Sequence, residues 1–196
     1  SVPRFHITWG PGPGVLAPFI ARCKEHAKSG RITFHFRHQV DRIEMENGAA
    51  KGVSGTILAD DPAVQGAKTN RDPVGDFAFY APSVLVTSGG IGGNFELIRK
   101  HWPTDRLGPT PQHLLSGVPA HVDGRMLDIA EAAGGHAINK DRLWFYTEGV
   151  RNWDPIWPNH GIRILPWPSS MWFDAKGNRF APPALPGFDS LGTFKM

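Results

Sequence analysis

The chain has 196 residues, 40% of them hydrophobic, enough to bury a sizeable core as one large domain or one and a half small ones. Its 23 glycines and 18 prolines point to turns and long irregular loops rather than a helical bundle, while 7 Trp and 12 Phe exclude a disordered linker. The net charge of +3 is spread over scattered Lys and Arg. A single cysteine excludes an internal disulfide framework and fits a reducing, cytoplasmic setting, and no apolar run approaches a membrane span.

Val15, Leu16, Phe19, Ile20, Cys23 and Ala27 fall at helical spacing over 15–29, and Gly30 stands where a left-handed residue closes a helix. On that apolar face Cys23 reads as a buried structural thiol. Ile32, Phe34 and Phe36 then alternate with Thr33, His35 and Arg37, the pattern of a half-buried strand. Segments 40–46 and 52–58 flank Asn47-Gly48, a strong hairpin signal. Residues 59–76 form a polar, turn-rich loop, 77–80 return to the hairpin as a further strand, and Val84–Val86 reads as a short strand covered on both faces. A helix is expected from about 94 to 102, capped by Asn94, with Phe95, Ile98 and Trp102 on one face. After an irregular stretch, Asp123 caps another helix whose buried stripe is Met126, Leu127, Ala130 and Ala133, closed by Gly134-Gly135. Beyond residue 140 the chain is rich in Trp and Pro and has no period until a short hairpin, "MWFDAKGNRFA". The fold class is therefore mixed α/β, with a change of domain expected between about 105 and 140.

Two glycine clusters precede helices, "WGPGPG" (Gly10, Gly12, Gly14) and "SGGIGG" (Gly89, Gly90, Gly92, Gly93). Each suits a backbone that approaches a phosphate or ring, or simply a tight turn. Neither matches G-x-G-x-x-G, and neither leads into the Lys-Ser or Lys-Thr of a P-loop. His35 and His38 lie an odd number apart on the expected strand and so should face opposite ways, and no paired-Cys or H-E-x-x-H pattern exists, so no metal site is expected. Ser54, Ser88 and Ser116 lack a nucleophile elbow. Arg163 stands alone in the apolar run "GIRILPWP" and needs either an acidic partner or a ligand.

The segments "RFHITWGPGPGV", "TSGGIGGN", "LSGVPAHVDGRMLDIAEAAGG", "NWDPIWPNHGIRILP" and "FDAKGNRF" occur in an order that resembles a flavoprotein family. Its members are fumarate reductases, succinate dehydrogenases and 3-ketosteroid dehydrogenases, and the resemblance is closest to bacterial FAD-binding dehydrogenases. It covers nearly the whole chain. It implies part of a Rossmann-like FAD domain with a β-hairpin or meander over 1–118, followed by the start of a substrate-capping region over 119–196. By the same resemblance Thr87, Ser88, Gly89 and Gly90 end a strand beside FAD, Val40 presents its backbone to the adenine, and Asp123 is a further FAD contact.

The family's opening G-x-G-x-x-G turn and its closing glycine-rich segment are not in these residues, so the resemblance implies an internal fragment. FAD would be held by the full-length parent, and the fragment alone is expected to bind it weakly or not at all and to be inactive. After Gly177–Phe180 the chain reads "APPALPGFDS", without the arginine of fumarate reductases or the catalytic tyrosine of 3-ketosteroid dehydrogenases, so neither chemistry carries over by position. The expected reaction is hydride transfer between a substrate C–H and flavin. Tyr146 is a proton donor or acceptor, Arg163 a group that polarises a carbonyl or binds a carboxylate, and His160 a third candidate; a hydrogen-bonded Tyr, a salt bridge and a loop contact are the structural alternatives. A reading from another class is a non-catalytic assembly module that displays Trp153, Trp157 and Trp167 outward. The expected partners are a small-molecule substrate and the remaining segments of the parent, with homodimerisation open to a fragment whose sheet edges are unpaired. No nucleic acid or membrane is expected.

Overall fold

The computed structural model describes residues 12–64, 67–147, 149–163, 171–181 and residue 193. The chain divides into a unit over residues 1–38 and a second from Gln39 onward. The first unit contains helix α1, Pro13–Lys28, with a proline in its first turn where the missing N–H costs nothing. At its end Gly30 (φ 73°) donates to Ala27 and Arg31 to His26, the paired bonds of a Schellman cap. No residue of α1 is buried, and Phe19 remains 66% exposed; Cys23 is half-buried, short of the enclosed thiol expected from spacing.

The expected strand over Ile32–Phe36 is not formed. The segment is irregular and Phe36 is 78% exposed, because among the described residues nothing supplies it with a ladder partner. Arg37 (φ 59°) turns the chain, and the rings of His35 and His38 lie 5.2 Å apart, which overturns their expected opposite facing. Among the described residues no group of three or more His, Cys, Asp or Glu gathers as a metal site.

The second unit opens with strands β1 (His38–Glu46), β2 (Ala49–Leu58) and β3 (Pro73–Tyr80), a sheet in that order. Asn47 (φ 51°) and Gly48 (φ 78°) both take left-handed conformations, the type I′ turn whose twist matches the strands it joins. β2 and β3 are antiparallel, in register from Gly52 opposite Tyr80 to Leu58 opposite Pro73, with one irregularity between Ile57 and Leu58. Val84–Val86 is irregular, without a ladder partner among the described residues, and Leu85 is 88% exposed, so the covered strand expected there is not formed.

Helix α2, Phe95–Lys100, follows the glycine cluster, with Asn94 as its N-cap. Ile98 and Trp102 are buried together with Ile91 and Leu107, and Phe95, Leu97, Leu114, Leu143 and Phe145 pack against them. Trp102 meets the Phe145 ring at 4.5 Å and donates its Nε1–H to Gly108 (2.9 Å). A turn of helix α3, Thr104–Leu107, completes this core. Helix α4, Arg125–Ala132, ends in a second Schellman cap, Gly134 to Glu131 and Gly135 to Ala130. Its expected stripe is not buried: Met126, Ala130 and Ala133 are half-covered and Leu127 is exposed, since the core has formed on the α2 side. Short strands β4 (Gly149–Arg151) and β5 (Gly161–Arg163) pair antiparallel, and Phe173 bridges Arg179 in the late hairpin. Among the described residues no helix is long and apolar enough to cross a membrane.

Candidate functional site

The antiparallel pairing of β4 and β5, Gly149 opposite Arg163, brings Tyr146 and Arg163 together. Leu143 and Phe145 turn into the core beside Trp102, which leaves the alternate residues Trp144 and Tyr146 on the other side of an extended segment. Arg163 ends β5, and its guanidinium carbon lies 3.5 Å from the centre of the Tyr146 ring. Both line a cavity of about 750 Å³ that also includes Gly90. Its remaining wall is largely apolar, with Ile98, Trp102, Leu114, Leu115 and Ile162 among the lining residues. Arg142 also lines it, and a few charged and phenolic groups set among hydrocarbon walls are the usual make-up of a small-molecule pocket.

The glycine cluster splits into two halves. A methyl on Gly93 would fall 2.6 Å from the Pro119 carbonyl oxygen, and one on Gly92 would fall 2.7 Å from the Val118 side chain. These two glycines are demanded by neighbouring backbone and packing. Gly89 (φ 85°) and Gly90 differ: they are exposed with Thr87 and Ser88, and a methyl on Gly90 would meet nothing within 4 Å. Among the described residues no hydrogen bond engages the backbone of 87–90. Gly89-Gly90 is thus the part of the cluster whose backbone faces solvent beside the cavity, not a neighbouring segment.

Asp123 lies next to this turn. Its carbonyl accepts from the Asn94 side-chain amide (3.1 Å), and the Gly93 N–H donates to Val122 (2.8 Å). Its carboxylate accepts from the Arg125 N–H (3.0 Å), but the N-cap position itself is Gly124 (φ 80°), one residue later than expected. Val40 is reached through Arg125. The Arg125 guanidinium donates to the Val40 carbonyl (3.1 Å) and pairs with the Asp41 carboxylate. Burial pushes the Asp41 carboxyl up, but hydrogen bonds from Arg125, Thr56 and Gln39 outweigh this and hold it below the usual carboxylate range. Arg125 thus joins the strand of one expected FAD contact to the helix start of another, at the cost of occupying the Val40 carbonyl.

His160 does not line the cavity. Its Nδ1 accepts the Ile156 N–H (3.2 Å) and contacts the Asn152 amide (2.9 Å), and its ring stacks on Trp157 at 3.9 Å. A Nδ1 used as an acceptor leaves the ring proton on Nε2. Trp157 is turned inward, its Nε1–H donating to the Ser116 carbonyl (3.1 Å), whereas Trp153 is 85% exposed; Trp167 lies outside the described residues, as does Gly10 of the first glycine cluster. Sequence reasoning missed Arg125, which directly follows Asp123-Gly124, and Ser116, which carries no local signal at all.

A family model described as an FAD binding domain matches residues 1–194, and the chain belongs to that family. It is 56% identical over its whole length to a KsdD-like steroid dehydrogenase of Mycolicibacterium smegmatis and 54% identical to one of Mycobacterium tuberculosis. It spans 35% and 34% of those two proteins, about a third of their length. No solved structure matches the chain.

Proposed function

We propose that this chain is part of an FAD-dependent oxidoreductase that moves a hydride between a substrate C–H and the flavin. Residues 1–118 contribute to the FAD-binding domain and 119–196 begin the region that covers the substrate. The observation that supports this reading is the single cavity lined by Gly90, Tyr146 and Arg163 in a member of an FAD-binding family. When bound, FAD supplies the hydride acceptor or donor. The exposed backbone of Thr87, Ser88, Gly89 and Gly90 lies along the cofactor, with Val40 and Asp123 as further contacts. Arg163 holds a substrate oxygen and Tyr146 gives or takes the companion proton at its hydroxyl. His160, with Nδ1 bonded to Asn152 and Ile156, orders the loop before β5 and is the weaker candidate for proton transfer.

The substrate class follows from the relatives' name and the cavity wall: a rigid, largely hydrocarbon molecule of steroid type with an oxygen at one end. The tyrosine that 3-ketosteroid dehydrogenases carry after the "GNRF" turn is missing here, so Tyr146 takes that duty from another position. The reducing cytoplasm suits the free Cys23. A visible absorption spectrum of the full-length parent, purified without added cofactor, tests the reading. Oxidised-flavin bands that bleach anaerobically with a steroid substrate are the expected result. A colourless parent that gains no bands on incubation with FAD would sink the assignment and favour the assembly module, for which the exposed Trp153 is the natural contact.

A further inference from the structure

Ser116 is the buried polar residue of the described core, 4% exposed, and it lies on the cavity wall. Its bonds run in two directions. The main chain serves the Arg163 side: its N–H donates to Asn159 (2.8 Å), and its carbonyl accepts from Gly161 at the start of β5 (2.9 Å) and from Trp157 Nε1 (3.1 Å). The side chain serves the glycine turn: the hydroxyl lies 3.0 Å from the Gly92 carbonyl and 2.6 Å from that of Val118, and accepts from the Val118 N–H (3.2 Å). The polar capacity of one buried residue is thus divided between the strand that carries Arg163 and the turn that presents Gly89-Gly90.

We propose that Ser116 is a positioning residue for FAD: its hydroxyl, whose one proton is shared between the Val118 and Gly92 carbonyls, ties the glycine turn to the 116–118 segment and so aims the open backbone of 88–90 at the cofactor. This rests on the FAD reading above. Replacing the hydroxyl removes one tether of the turn, leaving the Gly93–Val122 bond, and keeps the β5 side intact, because that side is bonded through the main chain. Trp157→Phe does the reverse, since it removes a donor to Ser116 on the β5 side and leaves Gly92 and Val118 bonded.

The test uses the full-length parent, freed of cofactor and titrated with FAD by flavin fluorescence. Ser116→Ala is expected to raise the FAD Kd by about tenfold, the effect of one lost charge-free hydrogen-bond constraint. Trp157→Phe is expected to lower the apoprotein Tm comparably while keeping the FAD Kd within twofold of wild type. Wild-type affinity in Ser116→Ala overturns the proposal, and so does an equal loss of affinity in Trp157→Phe, which marks Ser116 as merely structural. Hydrogen exchange on the wild type needs no variant: FAD should protect 86–93 and 112–120 together, and protection of the first segment alone overturns the coupling. A wild-type parent that binds no FAD sinks the functional reading itself, a result distinct from all of these.

Discussion

The Arg163 guanidinium carbon lies over the Tyr146 ring, 3.5 Å from its centre, so each of these residues fixes the other on the cavity wall. Substitutions can separate their roles in the flavin-loaded parent. Tyr146→Phe keeps the ring under Arg163 and deletes only the hydroxyl. If Tyr146 handles the proton, kcat falls by about 10²–10⁴ with KM near wild type. Tyr146→Leu removes the support as well and should raise KM in addition. A Phe variant with wild-type kcat refutes the proton role and leaves Tyr146 as a platform.

Arg163→Lys retains the charge but not the planar stack, and should lower kcat/KM less than Arg163→Met, which is expected to cost on the order of 100-fold. Steady-state kinetics with a steroid probe decides the order. Equal activity of the two variants would show that neither the charge nor the stack acts on substrate.

The two halves of the glycine cluster should respond oppositely to one added methyl. Gly93→Ala drives Cβ to 2.6 Å from the Pro119 oxygen and should destabilise the protein by about 1–3 kcal/mol, read by chemical denaturation. Gly90→Ala meets open space in the protein, so stability should stay within about 0.5 kcal/mol while FAD affinity drops. A Gly90→Ala variant with unchanged flavin content removes the turn from the cofactor site.

Arg125 predicts a pH dependence. Its bond to Asp41 helps hold that carboxyl below its unfolded value, so the stabilisation is complete above the ordinary carboxylate range and is lost as pH falls through the lowered folded value. Wild type should therefore exceed Arg125→Met in unfolding free energy by about 0.2–1 kcal/mol at neutral pH, a half-exposed pair being worth no more. The two curves should converge below about pH 4. Parallel curves down to pH 2–3 would mean that Asp41 draws its stabilisation elsewhere.

Asn94 serves two elements at once, accepting the Leu97 N–H at the head of α2 and donating to the Asp123 carbonyl before α4. Asn94→Ala should cost about 1–2 kcal/mol. Asn94→Asp keeps the cap but loses the donor, and should fall between. An Asp variant as unstable as the Ala variant would assign the whole effect to the Asp123 link.

What could be read from the sequence was whatever is decided within a few residues. Asn47-Gly48 forces its own turn, Asn94 caps its own helix, and Gly30 and Gly134 end theirs, so these elements appear where the spacing predicts. Ile32–Phe36 and Val84–Val86 carry strand patterns but form no strand, because a ladder depends on a partner that no local pattern supplies. His35 and His38 were misjudged through the same error: Arg37 leaves the extended region and swings the two rings together. Tyr146 and Arg163 are suggested by resemblance and by the oddity of a lone arginine among apolar residues, and the fold brings the two together on one cavity wall. Ser116 and Arg125 act through contacts 24 and 85 residues away along the chain, and sequence alone offers nothing to mark them.

The division of "SGGIGG" also bears on how the sequence can change. Gly93 is held by its own neighbours and must persist in any descendant that keeps this fold, whatever that descendant does for a living. Among the described residues nothing lies within 4 Å of a methyl on Gly90. If Gly90 lies along the flavin as proposed, a lineage that gave up the cofactor would be free to drift at Gly90 while Gly93 stayed fixed, and the pair would separate what the architecture requires from what the chemistry requires.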